Sequence, residues 1–176
     1  KSGINEDGWR VARPTENVVV RRITSDAGHG IVIGSDMSGD VRNIIMHDCE
    51  LKGTVLGIRI KSNASRGGVV EKIWYQNIKM ENIREEAIKI ETNYGAYMAS
   101  KNGKAFPVFR DIAIRDVTCK GASVAVNAQA TVQKPIENVS LENVSIQARA
   151  GMTFQWVTGL KLKNVVSKPS QGEPFT

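Results

Sequence analysis

The sequence predicts an all-β protein built as a parallel β-helix, and three observations carry that reading. Apolar residues alternate with a period of 2 nearly throughout, and no stretch sustains the i, i+3, i+4, i+7 spacing of an amphipathic helix. One strand pattern recurs along the whole chain, each strong copy followed by a second alternating strand. Gly, Asn, Asp and Ser gather at the corners between them.

The first strands, in order, are "ENVVVRRIT" from Glu16, "RNIIMHDCE" from Arg42, "EKIWYQNIK" from Glu71, "RDIAIRDVT" from Arg110 and "ENVSLENVS" from Glu137, with a weaker copy, "GLKLKNVVS", from Gly159. The second strands are "GIVIG" from Gly30, "GIRIK" from Gly57, "AIKIE" from Ala87, "SVAVN" from Ser123 and "GMTFQ" from Gly151. Within a repeat the two lie 12 to 15 residues apart, and successive first strands are offset by 26, 29, 39 and 27 residues, the long interval holding the insertion "ETNYGAYMASKNGKAFPV". Such spacing describes about five to six coils stacked at about 4.8 Å, each burying one strand face inside the solenoid. Ile31 with Ile33, Ile58 with Ile60, Ile88 with Ile90 and Val124 with Val126 are expected to stack in columns, as are Val18 with Val20 and Ile44 with Met46. The recurring Asn residues are expected to form amide ladders at the turns. Residues 1–166 read as the β-helix and 167–176 as a C-terminal tail. The first coil begins within a few residues of Lys1 with no capping helix foreseen, so the solenoid is expected to be open at its N-terminal end. A homodimer through that uncapped coil is the expected consequence.

Composition narrows the function classes. The 176 residues are 41% hydrophobic and carry a net charge of +6, which favours an anionic partner. Nucleic acid fits that charge, but aromatics are only 6% and no Lys/Arg block is interleaved with them, so a polyanionic sugar or metabolite fits as well. No apolar run approaches the roughly 18 residues of a membrane span, and "KSGINEDGWR" lacks the pattern of a signal peptide. Cys49 and Cys119 stand 70 residues apart without a C-x-x-C spacing, and read as buried small apolar residues rather than metal ligands.

The outward positions of the second strands hold the candidate chemistry. In coil order they read Val32, Arg59, Lys89, Ala125 and Thr153, then two residues on Gly34, Lys61, Glu91, Asn127 and Gln155. Arg59 and Lys61 thus share one face, a planar fork and a point charge able to grip a carboxylate from two directions. Glu91, one coil from Lys61, is equally placed to pair with it as a surface ion pair. His29, in "SDAGHGIVIGS", has parity with the inward Ile31 and Ile33 and so reads as a packed structural residue. Its bracket of Gly28 and Gly30 lets the backbone leave β geometry, which allows a functional reading too.

These residues resemble a known family. "AGHGIVIGSDMSGDVRNI", "GIRIKSN" and "RGGVVEKIWYQNIKM" are similar to the core of the pectin-degrading glycoside hydrolase family 28, over Lys1 to about Val166, and "GSDMSGDVRN" with "GINEDGWRVARPTENV" look most like bacterial exo-acting members. The resemblance implies a right-handed parallel β-helix that hydrolyses α-1,4-galacturonide links with inversion, without cofactor or metal. Inversion needs an acid and a water-activating carboxylate roughly 6.5 to 9.5 Å apart. It implies that His29 supports the catalytic carboxylates, that Arg59 and Lys61 hold a galacturonate carboxylate, and that Tyr94 lines the sugar cleft. The partner would be an acidic polysaccharide, not nucleic acid or membrane, and the location secreted or periplasmic.

The family's catalytic aspartates lie in N-T-D and D-D motifs upstream of a K-S-G segment, and this sequence begins at "KSG" and contains neither motif. The chain is therefore expected to be the C-terminal portion of such a β-helix, lacking those aspartates. "NEDG" at Asn5 belongs to the following loop, with Asp7 a turn residue. Asp36 and Asp40 follow the His29 strand, but Asp26, three residues before His29, is the best substitute carboxylate. A non-catalytic acidic-polysaccharide-binding or self-assembling β-helix is the alternative.

Overall fold

A computed structural model describes residues 1–95 and 105–176 as a right-handed parallel β-helix of two sheets. In chain order the elements are α1 (Asn5–Val11), β1 (Thr15–Arg21), β2 (Thr24–Ser25), β3 (Ile31–Gly34), β4 (Val41–Lys52), β5 (Ile58–Lys61), β6 (Val69–Glu81), β7 (Glu86–Glu91), β8 (Val108–Lys120), β9 (Val124–Gln129), β10 (Ile136–Ala148), β11 (Ala150–Gln155), β12 (Val157–Thr158) and β13 (Lys161–Pro169). The large sheet runs β1-β4-β6-β8-β10, with β12 and β13 both on β10 and β2 on β4, and the small sheet runs β3-β5-β7-β9-β11. Every pairing within these sheets is parallel.

The long strands of the large sheet bend where one residue enters the left-handed region. Asn17, Asn43, Lys72, Asp111 and Asn138 form one such column, and Arg22, Asp48, Asn77, Asp116, Asn143 and Asn164 another, all with φ between 51° and 57°. Asn and Asp tolerate this geometry, and their side chains join coil to coil. Asn77 Nδ2 donates to Asp48 Oδ1 (2.6 Å), Asn143 Nδ2 to Asp116 Oδ1 (2.9 Å) and Asn164 Nδ2 to Asn143 Oδ1 (3.1 Å). Asn43 and Asn17, and Asn138 and Asp111, repeat the contact at the other corner. The expected ladders are present.

Apolar columns fill the interior. Ile44, Ile73, Ile112 and Val139 stack in register, as do Met46, Tyr75, Ile114 and Leu141, all buried. Each large buried aliphatic stabilises the fold by about 2 kcal/mol relative to exposure. On the small sheet the column is Ile31, Ile58, Ile88, Val126 and Met152. The fourth coil therefore sits two residues away from the expected alignment: Val126 pairs with Ile88 and Ala128 with Ile90, while Ala125 is fully buried and the outward positions are Asn127 and Gln129. Apolar residues at 125, 126 and 128 leave the register, though not the alternation, locally unspecified there.

The N-terminal region also differs from expectation. Residues 5–11 form α1, too short to show helical periodicity, with Glu6 and Asp7 in its first turn and Arg10 in its last, favourable to the helix dipole. It ends at Ala12 in the left-handed region, whose N–H donates to the Gly8 carbonyl (2.9 Å). Asp7 is thus a helical residue, ion-paired to Arg10, rather than a turn residue. Trp9 Nε1 donates to the Arg66 carbonyl (3.0 Å) and the Asn5 N–H to Ser38 Oγ (2.8 Å), which seats the helix on two loops of the solenoid. At the other end β13 runs through residue 166 to Pro169, and the Met152 N–H donates to the Pro174 carbonyl, so the last residues also pair with a coil.

Candidate functional site

Strand β5 shows why its charged residues meet on one surface. Ile58 and Ile60 are fully buried, so Arg59 and Lys61 point away from the core. Arg59 lies between Val32 and Lys89 in the sheet, and Lys61 between Gly34 and Glu91. At Gly34 an added Cβ would collide with the Lys61 carbonyl, so glycine permits the close approach of β3.

Tyr94 completes a cluster. Its N–H donates to the Ser62 carbonyl (2.8 Å), directly after Lys61, and its ring lies 4.1 Å from Lys61 Nζ and 5.0 Å from Arg59 Cζ. Both cations therefore face one aromatic ring, an attraction of about 0.5–1 kcal/mol each at exposed sites and more when desolvated. The structure brings Arg59, Lys61 and Tyr94 together as a two-cation, one-aromatic surface.

Glu91 takes the partner that register alone did not indicate. It is in line with Lys61, yet its Oε1 accepts from Arg59 Nε (3.0 Å) and also from the guanidinium's terminal nitrogen. Among the described residues no carboxylate pairs with Lys61, which leaves its ammonium as the available charge. Farther along, Lys89 pairs with Glu86 (2.8 Å), which also accepts from Asn127 Nδ2 (3.3 Å). Lys89 was visible in the outward pattern, whereas Asn127 entered this column only through the observed register.

His29 is exposed in a turn before β3, whereas Ile33 two turns of the alternation later is buried. The left-handed φ of Gly28 (81°) and Gly30 (74°) accounts for the broken parity. The Gly28 carbonyl accepts from the Val55 N–H (2.7 Å) and the Ile31 N–H donates to the Gly57 carbonyl (2.9 Å), tying the turn to the coil that carries Arg59. Asp26 is exposed in the same turn, and among the described residues no carboxylate is hydrogen-bonded or ion-paired to His29. Asp36 is engaged by Lys1 (2.9 Å) and Arg66 (3.4 Å). Burial pushes its pKa upward, but the hydrogen bond from Lys1 and the charges of Lys1 and Arg66 outweigh it and hold the carboxyl below its usual value. Asp40 accepts from the Val69 N–H (2.8 Å), a backbone-fastening role. Among the described residues no helix is long and apolar enough to cross a membrane.

Comparison with known proteins identifies the family to which the chain belongs. The model of glycosyl hydrolases family 28 matches residues 4–169. A probable polygalacturonase of Vitis vinifera is 32% identical over 85% of this chain and 31% of its own length, and an endo-polygalacturonase of Pectobacterium parmentieri is 36% identical over 75% of the chain and 31% of its own. Among solved structures, a hyperthermoactive exopolygalacturonase from Thermotoga maritima superposes with a TM-score of 0.79 at 27% identity, over 90% of this chain and 38% of that one. The chain spans about a third of the length of the curated relatives it matches. With a family match over nearly its whole extent and a shared solenoid, the chain belongs to glycosyl hydrolase family 28.

Proposed function

We propose that this chain supplies the substrate-holding face of a polygalacturonase-type hydrolase, which cleaves α-1,4-galacturonide links in pectin-type acidic polysaccharide with inversion. The single observation that carries the proposal is the cluster of Arg59, Lys61 and Tyr94 on one face of the small sheet. Lys61 meets a galacturonate carboxylate as a point charge, Arg59, oriented by Glu91, offers its remaining N–H donors, and the Tyr94 ring lines the sugar's flank. His29 stands at the head of the neighbouring strand as a supporting group. The acid and base carboxylates are supplied from outside these 176 residues, since the N-T-D and D-D motifs are absent from them. A polymer substrate of this kind places the protein outside the cytoplasm, secreted or periplasmic. The test is calorimetry of the intact chain with a galacturonate oligomer. Saturable binding that weakens with salt and loses an affinity component in the Arg59→Ala/Lys61→Ala pair supports the assignment. Equal binding by that pair, or equal affinity for a neutral glucan, overturns it.

A second reading has its own support: among the described residues no carboxylate contacts His29. In it the chain binds the polymer without cleaving it, and a reducing-end assay on polygalacturonate separates the two.

A further inference from the structure

The outer face of the large sheet carries a feature that the Arg59 surface does not use. One outward column runs Val19, Ile45, Trp74, Ala113, Ser140 and Lys161, each in register with the next. Trp74 lies on an open strand surface at 40% exposure, the only aromatic in the column. Beyond it the side chains shrink to Ala113 and Ser140 before rising again at Lys161. This dip makes two recesses, of about 240 Å³ beside Trp74 and about 560 Å³ beside Lys161, and Arg115 lines both. They form one groove along the solenoid axis, about three strand spacings or ~14 Å from Trp74 to Lys161.

The chemistry of the groove is specific. At one end the groove is lined by the partly exposed indole of Trp74, a group on which an apolar ring face stacks. Arg115 and Lys163 pair with Glu142 (3.2 and 2.6 Å), whereas Lys161 has no ion pair among the described residues. The walls thus offer cations together with carboxylate acceptors from Glu142 and Asp111. A sugar acid satisfies all three features: a ring face for Trp74, a carboxylate for Lys161 or Arg115, and hydroxyls that donate to Glu142. Single-stranded nucleic acid fits less well, since its binders set successive bases on successive aromatics and this column holds one aromatic, Trp74.

We propose that this groove is a second binding site for acidic polysaccharide, on a different sheet from the Arg59 cluster, with a uronate ring stacked on Trp74 and its neighbours' carboxylates held by Arg115 and Lys161. Such a site would hold the polymer to the outside of the solenoid while the other face engages a separate stretch of chain.

The test titrates a galacturonate oligomer into the intact chain carrying Arg59→Ala and Lys61→Ala, with thermal melts to confirm folding. The expected result is residual saturable binding that weakens about tenfold in Trp74→Ala, is restored by Trp74→Phe, and falls severalfold in Lys161→Ala. Loss of all binding in the Arg59/Lys61 background, or affinity indifferent to Trp74, overturns the proposal. Preference for oligo-dT over galacturonate through Trp74 overturns it as well. Failure of the function proposed above is distinguishable: there the Trp74-dependent binding persists while no Arg59-dependent component is found in the unaltered chain.

Discussion

Arg59 on one coil and Glu91 on the next are joined through a single carboxylate oxygen, with side chains only 11% and 12% exposed. The pair binds β5 to β7 across the face that carries the candidate site.

Because both partners are nearly buried, deleting one strands the other. Glu91→Ala is expected to cost about 3 kcal/mol of stability, read from the urea unfolding midpoint. Glu91→Gln keeps an acceptor for the guanidinium and should cost clearly less. Equal losses in the two variants would show that the carboxylate's hydrogen bond is not what holds Arg59.

The corner ladders make a second contrast. Asn143 sits at φ 55°, donates to Asp116 and accepts from Asn164. Asn143→Ala loses both bonds and forces alanine into the left-handed region, a loss of about 2 kcal/mol. Asn143→Gly loses the bonds but not the conformational ease, and should cost about half as much. Thermal unfolding of the two variants checks the order.

The two glycines around His29 are predicted to differ sharply despite similar φ. At Gly30 an added Cβ would strike the backbone carbonyls of Leu56 and Gly57, whereas at Gly28 it meets nothing within 4 Å. Gly28→Ala is expected to cost about 1 to 2 kcal/mol from strain alone. Gly30→Ala should prevent the β3–β5 pairing and yield little folded protein, judged by circular dichroism and soluble yield.

Alkaline pH should reveal Cys119. Burial pushes its thiol from 9.0 up to about 12. Below about pH 9 folded and unfolded chains both keep the proton, so nothing is lost. As pH rises from there toward 12 the unfolded chain sheds a proton that the folded chain retains, and stability falls across that window. Cys119→Ala should flatten this slope in unfolding free energies measured from about pH 8 to about pH 11. An unchanged slope would assign the alkaline loss to other groups.

Much of this architecture was legible from residues alone. The recurrence of Asn at fixed offsets announced the corners, since few other side chains accept a left-handed backbone while offering both donor and acceptor to the next coil. The alternation of Ile58 and Ile60 with Arg59 and Lys61 announced which face each would take. Where side chains give no contrast, register is not encoded locally. Ala125, Val126 and Ala128 are all small and apolar, so nothing local chose their register, and α1 is too short to show a period.

The sequence by itself determined the repeat, the inward columns and the outward placement of Arg59 and Lys61, because strand alternation is a local property of the backbone. Only the tertiary structure decided that Glu91 bonds Arg59 rather than Lys61, that Tyr94 reaches back over both cations, and that Trp74, Ala113, Ser140 and Lys161 line up as a groove. Those relationships join residues tens of positions apart. They depend on how coils stack and how long side chains lean across them, which no single strand encodes.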